Sequence, residues 1–304
     1  MVISNDNGLS GLVTNDNAIQ IATGFAFTEG PIWLVDQNVL LFSDINNQRI
    51  HRWTKSTGEV DVYREPSGHS NGLTVDNEGK LLACEHSGRR VSQASYNDSV
   101  MNSLADHWDG KLLNSPNDIV VHSNGTIYFT DPTYGLPQPG RVHVQGNPDA
   151  EQELSFQGVY KIDPDGKLEL LTDIFTQPNG LALSPDENQL YVGDSKDGLI
   201  RMFDIDEDGR LENQQLFIDM SSDDRPGNPD GMKVDTEGRL WTTGAGGVWV
   251  IEPNGTVLGQ IEFPELPANI AFGGDNYQTI FLTARTSVYT LEVNVTGIRP
   301  PAYR

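Results

Sequence analysis

Short stretches in which hydrophobic and polar positions alternate run along most of this chain, and polar turns separate them. The apolar stretch 73–75, for example, is followed by the turn 76–79 and by a second apolar stretch at 80–82. Alternation with a period of two is typical of β-strands, and Gly or Asn in the turns permits the positive φ angles of hairpins. Almost no segment has the 3.6-residue period of a helix. The pattern therefore predicts an all-β protein built from antiparallel hairpins.

A polar motif precedes six of the predicted strands, and each copy has a side-chain oxygen at the same point of the repeat. These six ring residues are Glu29, Asn71, Asn117, Asn179, Asp230 and Asn269. They are separated by 42, 46, 62, 51 and 39 positions, which suits four-stranded blades with loop insertions. We therefore predict a six-bladed β-propeller with four-stranded antiparallel blades. It forms a single domain over 1–304 with a core at about 20–293, and the segment 19–21 adds an outer strand that closes the ring.

The predicted topology places the polar loops at one end of the ring. In an antiparallel blade, the loop entering the first strand and the loop after the second strand lie on the same face. The ring residues are therefore expected to share a face with the segments 85–89, 131–134 and 285–286, and the tight turns lie on the other face. The insertion 136–157, which contains Arg141 and His143, belongs to the same face. Whether it forms a lid or a surface loop is left open.

Four ring residues predict a cation site on the axis. Calcium takes six to eight oxygen ligands from carboxylates, amide carbonyls and water. Glu29 and Asp230 supply two carboxylates, and Asn117 and Asn179 supply two amides, so the charge of −2 balances one divalent cation. Asn71 and Asn269 are interpreted as rim or structural members, and Mg, Mn or Zn remain alternatives to Ca. Asn-Gly and Asp-Gly also form ordinary turns, but six copies in phase favour a site over turns alone.

The composition restricts the partners. A net charge of −23 and a pI near 4.4 argue against binding to nucleic acid or to anionic membranes, and they suit a small-molecule substrate. Cys84 is the only cysteine, which excludes an intrachain disulfide and a cysteine zinc site. The sequence has neither a membrane-length apolar stretch nor a recognisable signal peptide, so we predict a cytoplasmic protein. A processed periplasmic form and the oligomeric state are left open.

Five segments, in order along the chain, resemble the gluconolactonases of the SMP-30/gluconolactonase/LRE-like family, and bacterial gluconolactonases most of all. These segments are 28–31, 115–118, 131–135, 178–182 and 229–231, and the resemblance spans about residues 20–293. It implies a six-bladed propeller with a central divalent cation, usually calcium, that hydrolyses sugar lactones. It also implies that Glu29, Asn179 and Asp230 ligate the metal and that Asn117 is a ligand or contacts substrate and water. Ser115 stands where some animal members have an arginine that contacts substrate, so this substrate contact is not expected in the present chain.

The resemblance also implies a mechanism. The cation would polarise the lactone carbonyl while a water attacks it. Asp230 is the predicted general base, and Asn117 is counted with it as catalytic. Attack by a metal-bound hydroxide is the alternative. Four loop residues are further predicted to bind substrate hydroxyls or the developing carboxylate, although ordinary loop hydrogen bonding would also explain them: His86, Arg89, Tyr134 and Arg285.

Two other functions are compatible with the same pattern. One is a broader lactonase, esterase or organophosphate hydrolase that uses the same metal. The other is a non-catalytic propeller that binds protein partners, which predicts an apolar rim and no metal at the axis. The polar rim and the balanced ligand charge favour a metal-dependent lactonase that acts on a small-molecule lactone.

Overall fold

The computed structural model describes residues 1–14, 17–98, 100–138 and 145–304. Within these ranges nearly all regular structure is β-strand, and helical turns are confined to short 3₁₀ segments at Leu9–Leu12, Ile45–Asn47 and Pro301–Tyr303. None of the helical turns in the described part has the length and apolar character needed to span a bilayer. The chain is therefore all-β, as its alternating pattern predicts.

The described strands form six larger sheets, which are the blades, and one two-stranded hairpin. The chain begins with β1 (Val2–Ser4) and β2 (Ile19–Thr23). Blade 1 contains β3 (Thr28–Leu34), β4 (Val39–Asp44), β5 (Arg49–Thr54) and β6 (Val60–Arg64). Blade 2 contains β7 (Ser70–Val75), β8 (Leu81–Glu85), β9 (Arg90–Ala94) and β10 (Asn102–Ala105). The hairpin of β11 (His107–Trp108) and β12 (Lys111–Leu112) follows blade 2.

Four-stranded antiparallel blades continue along the chain. Blade 3 contains β13 (Ile119–Val121), β14 (Ile127–Asp131), β15 (Gln157–Ile162) and β16 (Leu168–Phe175). Blade 4 contains β17 (Pro178–Leu183), β18 (Gln189–Asp194), β19 (Leu199–Ile205) and β20 (Leu211–Asp219). Blade 5 contains β21 (Met232–Val234), β22 (Leu240–Gly244), β23 (Gly247–Ile251) and β24 (Val257–Glu262). Blade 6 contains β25 (Asn269–Gly273), β26 (Thr279–Ala284) and β27 (Ser287–Glu292), together with β2.

The two N-terminal strands complete the last two blades. Strand β2 pairs antiparallel with β27, from Ile19 opposite Thr290 to Thr23 opposite Ser287, which confirms the predicted closing strand. Strand β1 pairs with β24 and gives blade 5 a fifth strand, which the repeat pattern does not predict. Each added strand covers a sheet edge that would otherwise expose unpaired backbone groups. The first strands of the six blades contact one another in cyclic order, so the predicted six-bladed propeller is confirmed.

The apolar core lies between neighbouring blades. Trp33 in blade 1 stacks on Phe281 in blade 6, with ring centroids 5.1 Å apart and planes inclined by 8°. Trp33 and Trp241 are both fully buried, as expected for core tryptophans. Burying a large apolar side chain contributes about 1.5–3 kcal/mol, so contacts between blades hold the ring closed without helices.

Glycines after the ring residues allow adjacent first strands to approach closely. A Cβ atom on Gly30 would lie 1.9 Å from the Asn71 carbonyl oxygen, and one on Gly180 would lie 2.0 Å from the Asp230 carbonyl oxygen. Gly72 and Gly231 are similarly crowded by the ring residues of the next blade. The glycine of the motif therefore serves packing between blades. This packing requires glycine whether or not the motif also forms a turn.

Gly180→Ala is expected to lower the free energy of unfolding by about 3 kcal/mol, at the upper end of the usual cost of overpacking, because the added methyl meets backbone atoms that cannot rotate away. Urea denaturation monitored by tryptophan fluorescence measures this loss. Gly11→Ala is the matched control, because a Cβ atom on Gly11 has no heavy atom within 4 Å. Equal stabilities of the two variants would contradict the close-packing interpretation.

Candidate metal-dependent active site

A cavity of about 550 Å³ opens at the end of the ring where the ring residues lie. We call this end the site face. Five of the six ring residues line the cavity, and Ala268 contributes from blade 6. The other polar lining residues are Asn46, Tyr134, Gln145, Ser195, Asn228 and Arg285, and the apolar ones include Phe27, Pro226, Leu266 and Pro267. Two loops that the sequence assigned to the site face, 131–134 and 285–286, thus reach this cavity through Tyr134 and Arg285, whereas 85–89 contributes no residue to the described lining.

Irregular pairing at the start of the first strands accompanies the ring residues. The register between the first and second strands shifts between Glu29 and Ile32, between Ser70 and Leu73, and between Pro178 and Leu181. Such bulges bend a strand and re-aim its side chains. In blades 3 and 5, Asn117 and Asp230 stand just before the first strand instead. In blades 1 to 5 the motif therefore marks the place where the blade leaves regular pairing, whereas in blade 6 Asn269 pairs regularly with Thr283.

Glu29 is a buried carboxylate held by two donors. Its Oε2 atom accepts hydrogen bonds from the Gly30 amide at 2.8 Å and from Asn269 Nδ2 at 3.0 Å. The pKa of Glu29 is raised to about 7, chiefly by burial and also by the negative charge of Asp118, although the two hydrogen bonds and Lys233 act in the opposite direction. The carboxylate is therefore costly to ionise unless a positive charge lies nearby.

Asp230 is a second carboxylate whose pKa is raised, and it faces the cavity. It is partly exposed, and it lines the cavity together with Glu29. Desolvation raises the pKa of Asp230 well above its ordinary value, and the charges of Glu29 and Asp118 raise it further. A hydrogen bond from the Asn179 side chain partly offsets this rise. Carboxylates that repel one another in a poorly solvated site favour either a shared proton or a bound cation.

Asp118 and Asn269 form a supporting network below the cavity, of which the sequence had assigned only Asn269, as a rim or structural residue. Asn269 Nδ2 lies 3.0 Å from Glu29 Oε2 and 3.5 Å from Asp118 Oδ2, so it connects the two carboxylates. The Ile119 amide also donates to Asp118 Oδ1 at 2.9 Å, and burial raises the pKa of Asp118. Lys233 on β21 opposes the charge of both acids. The sequence contained one signal for this network, because Lys233 is a charged residue between the apolar residues of a first strand.

Asn179 has an amide oxygen with no protein partner. Its Nδ2 atom donates to Ser195 Oγ at 2.8 Å and to Tyr134 Oη at 3.3 Å, which fixes the orientation of the amide. The Oδ1 atom is buried and has no hydrogen-bond partner among the described residues. Asn117 is also buried, and its backbone bonds Thr130 and Gly72. Buried acceptors are nearly always satisfied, so the Asn179 oxygen is a candidate to bind a ligand in the cavity.

The donor set fits a hard divalent cation. No cluster of three or more His, Cys, Asp or Glu residues suited to a metal occurs in the described ranges. The ring residues that line the cavity instead offer two carboxylates, from Glu29 and Asp230, and three amides, from Asn71, Asn117 and Asn179. An unpaired amide oxygen next to carboxylates with raised pKa values is satisfied by a cation that prefers oxygen ligands, such as calcium.

The four predicted substrate-binding residues lie in two different environments. Tyr134 and Arg285 line the cavity. His86 and Arg89 are absent from the described lining and lie behind it. Arg89 donates to the Leu113 carbonyl at 2.6 Å and to the Glu151 carbonyl at 3.1 Å, so it fastens the insertion to the hairpin segment. Direct substrate contact by His86 and Arg89 stays a prediction.

The insertion after blade 3's second strand reaches the cavity. Gln145 lines the cavity, and its backbone amide donates to the Tyr134 carbonyl at 3.3 Å. Leu136 and Leu154 are buried near the two ends of the insertion. Arg141 and His143 lie outside the described residues. A lid function for 136–157 therefore stays a hypothesis.

Comparison with known proteins identifies the family. The chain is 32% identical over 297 residues to a gluconolactonase of Zymomonas mobilis, covering 91% of this chain and 81% of the relative. It is 28% identical to a pentonolactonase of Haloferax volcanii, covering 86% and 83% of the two chains. The solved structure of a gluconolactonase from Xanthomonas campestris superposes with a TM-score of 0.86 at 34% identity, covering 96% and 94%. The sequence model of the SMP-30/Gluconolactonase/LRE-like region matches residues 27–286, and the chain belongs to this family.

Proposed function

We propose that this protein hydrolyses sugar lactones in the cavity of the site face and that it depends on a divalent cation, calcium above all. The cation would be held by Glu29, Asn117, Asn179 and Asp230. The observation that carries the proposal is the unpaired, buried Oδ1 atom of Asn179 beside carboxylates whose pKa values are raised. The gluconolactonase and pentonolactonase relatives support the choice of substrate class.

The chain's own residues supply the proton transfer. When bound, the cation polarises the lactone carbonyl and stabilises the charge that develops on its oxygen. Asp230 accepts a proton from the attacking water. Water adds to the carbonyl carbon, the bond from this carbon to the ring oxygen breaks, and the ring oxygen receives the proton. The product is an open-chain hydroxy acid.

The lining of the cavity suits a hydroxylated ring. Its polar side chains are mostly amides and hydroxyls, which pair with hydroxyl groups without requiring a charge on the substrate. Arg285 lies at the cavity and is exposed, and no salt bridge to it occurs within the described ranges. We assign Tyr134 to substrate hydroxyls and Arg285 to the carboxylate that forms on ring opening. A guanidinium stabilises this new negative charge in an otherwise acidic protein.

A substrate panel tests the proposal. With calcium present, acid release in a pH-stat is expected to be saturable for D-glucono-1,5-lactone and for pentonolactones, after subtraction of spontaneous hydrolysis. Polyhydroxylated lactones are expected to exceed p-nitrophenyl acetate and paraoxon by at least about 100-fold in kcat/KM, because only they pair with the polar lining. Calcium-loaded protein that opens none of the lactones would overturn the proposal. A preference for paraoxon would favour a phosphotriester hydrolase.

A further inference from the structure

Asn71 has an unexplained hydrogen-bond acceptor at the cavity. It is a ring residue with a relative exposure of only 3%, and it lines the cavity between the positions of Glu29 and Asn117. Its Oδ1 atom is buried and has no hydrogen-bond partner in the described part of the chain. The sequence interpretation of Asn71 as a rim or structural residue does not account for this oxygen.

The bonding of His86 fixes the orientation of the Asn71 amide. His86 Nδ1 lies 2.9 Å from the Gln145 carbonyl oxygen, which can only accept, so this ring nitrogen carries a proton. In a neutral imidazole the other nitrogen, Nε2, is then an acceptor. It lies 3.4 Å from Asn71 Nδ2, which must donate to it. The amide nitrogen of Asn71 therefore faces His86, and its oxygen is directed away from this partner.

The backbone of Asn71 is also held in place. Ser43 Oγ donates to the Asn71 carbonyl at 2.7 Å, and Gly30 packs against the same carbonyl. The unpaired Oδ1 atom therefore belongs to a residue whose backbone carbonyl and side-chain nitrogen both have hydrogen-bond partners. A buried acceptor left unpaired is unfavourable, and a donor entering the cavity removes this cost. Such a preorganised acceptor gives selectivity at little further entropic cost.

We propose that Asn71 accepts a hydrogen bond from a ring hydroxyl of the substrate and that His86 acts as a positioning residue by orienting the amide. The proposal rests on the proposed lactone hydrolysis and specifies how the site selects its substrate. Hydroxyl groups are the donors that a sugar lactone carries, since its carbonyl and ring oxygens only accept. Asn71 therefore distinguishes polyhydroxylated lactones from unsubstituted ones and acts on substrate affinity more than on the chemical step.

Asn71→Leu tests this role because leucine keeps the approximate size of the side chain and removes the acceptor. The KM for glucono-1,5-lactone is expected to rise about tenfold, since a lost hydrogen bond of about 1.4 kcal/mol corresponds to this factor, with little change in kcat. The kcat/KM for δ-valerolactone, which has no hydroxyl, is expected to change less than twofold. Asn77→Leu is the control, because Asn77 is an exposed turn residue of the same blade. An equal loss for both lactones, or no loss, would overturn the proposal.

A binding measurement separates this inference from the hydrolytic activity. D-gluconolactam and 2-piperidone are stable ring amides with and without hydroxyl groups, and their dissociation constants are measured by NMR titration of calcium-loaded protein. Wild type is expected to bind the gluconolactam more tightly, and Asn71→Leu is expected to lose at least fivefold for this ligand alone. If no lactone is opened, the proposed function fails, and this comparison still decides the role of Asn71. A wild type without a hydroxyl-dependent difference overturns the Asn71 proposal.

His86→Phe tests the positioning step through a double-mutant cycle. It removes the hydrogen bonds of the imidazole to Asn71 and Gln145, so the loss for glucono-1,5-lactone is expected to resemble that of Asn71→Leu. The double variant is expected to lose little more than either single variant, because both changes remove the same contact. Additive losses would remove His86 from this role. Because His86 is fully buried, the Asn71→Leu measurements decide the main proposal if His86→Phe does not fold.

Discussion

Asp230→Asn is expected to lower kcat for glucono-1,5-lactone by about 10³-fold at saturating calcium, with a folded ring. The amide keeps the shape of the side chain and a carbonyl oxygen for a cation, but it does not accept the proton of the attacking water. General-base catalysis contributes about 10²–10⁴-fold, which sets the size of the loss. Stopped-flow or pH-stat kinetics over a calcium titration separates this loss from a weaker affinity for the metal.

The same change is expected to leave the metal-free protein as stable as wild type or more stable. Glu29 and Asp118 both raise the pKa of Asp230, so replacing Asp230 with a neutral amide removes repulsion between buried charges. Asp275→Asn is the matched control, because Asp275 is exposed and pairs with Lys55 at the surface. If Asp230→Asn retained kcat within threefold of wild type at saturating calcium, Asp230 would not be the base.

The repeat in the sequence was sufficient to predict the ring. Alternating strands have a fixed side-chain period, and a closed ring brings equivalent positions of successive blades to one axis. Glu29 and Asp230 could therefore be placed at one cavity from their phase alone, and the structure confirms that both line it. Strand β2 was also predictable, because a closed propeller needs a partner for the outer edge of its last blade.

The direction of loop side chains was not predictable in the same way. His86 and Arg89 stand in the expected loop on the site face, yet packing against the insertion turns both side chains behind the cavity wall. Strand β1 follows no motif, and its pairing with β24 depends on where the N-terminal segment crosses the ring. These features depend on contacts between segments far apart in sequence, which a repeat pattern does not encode.

The support of the carboxylates was missed for a related reason. Asn269 has the same phase as the other ring residues, but its side chain bonds Glu29 and Asp118 and does not line the cavity. Two ring residues of the same type therefore have different surroundings. The amide nitrogen of Asn269 donates to the two acids, whereas the amide nitrogen of Asn71 donates to His86. The Oδ1 atom of Asn269 accepts a hydrogen bond from the Ile270 amide at 2.8 Å, whereas the Oδ1 atom of Asn71 has no partner among the described residues. The partner of the oxygen itself therefore decides whether a ring residue is free to bind a ligand.

Removal of the cation is expected to abolish activity and to destabilise the protein most at neutral and higher pH. The pKa of Glu29 is raised from 4.5 to about 7 in the folded, metal-free chain, so protonation favours this fold. Its contribution to stability is fully present below about pH 4.5 and is lost as the pH rises through about 7. One pKa unit corresponds to about 1.4 kcal/mol, so the loss approaches about 3 kcal/mol, and Asp230 acts in the same direction.

Differential scanning fluorimetry of EDTA-treated and calcium-loaded protein at pH 5 and pH 8 measures this effect. The increase in melting temperature caused by calcium is expected to be clearly larger at pH 8, where Glu29 is ionised and its charge has no cation beside it in the EDTA-treated protein. Glu29→Gln is expected to reduce this pH dependence, and Glu59→Gln at an exposed position is expected to retain it. Melting temperatures and lactonase activity that are both unchanged by EDTA would show that the buried carboxylates share a proton and hold no cation.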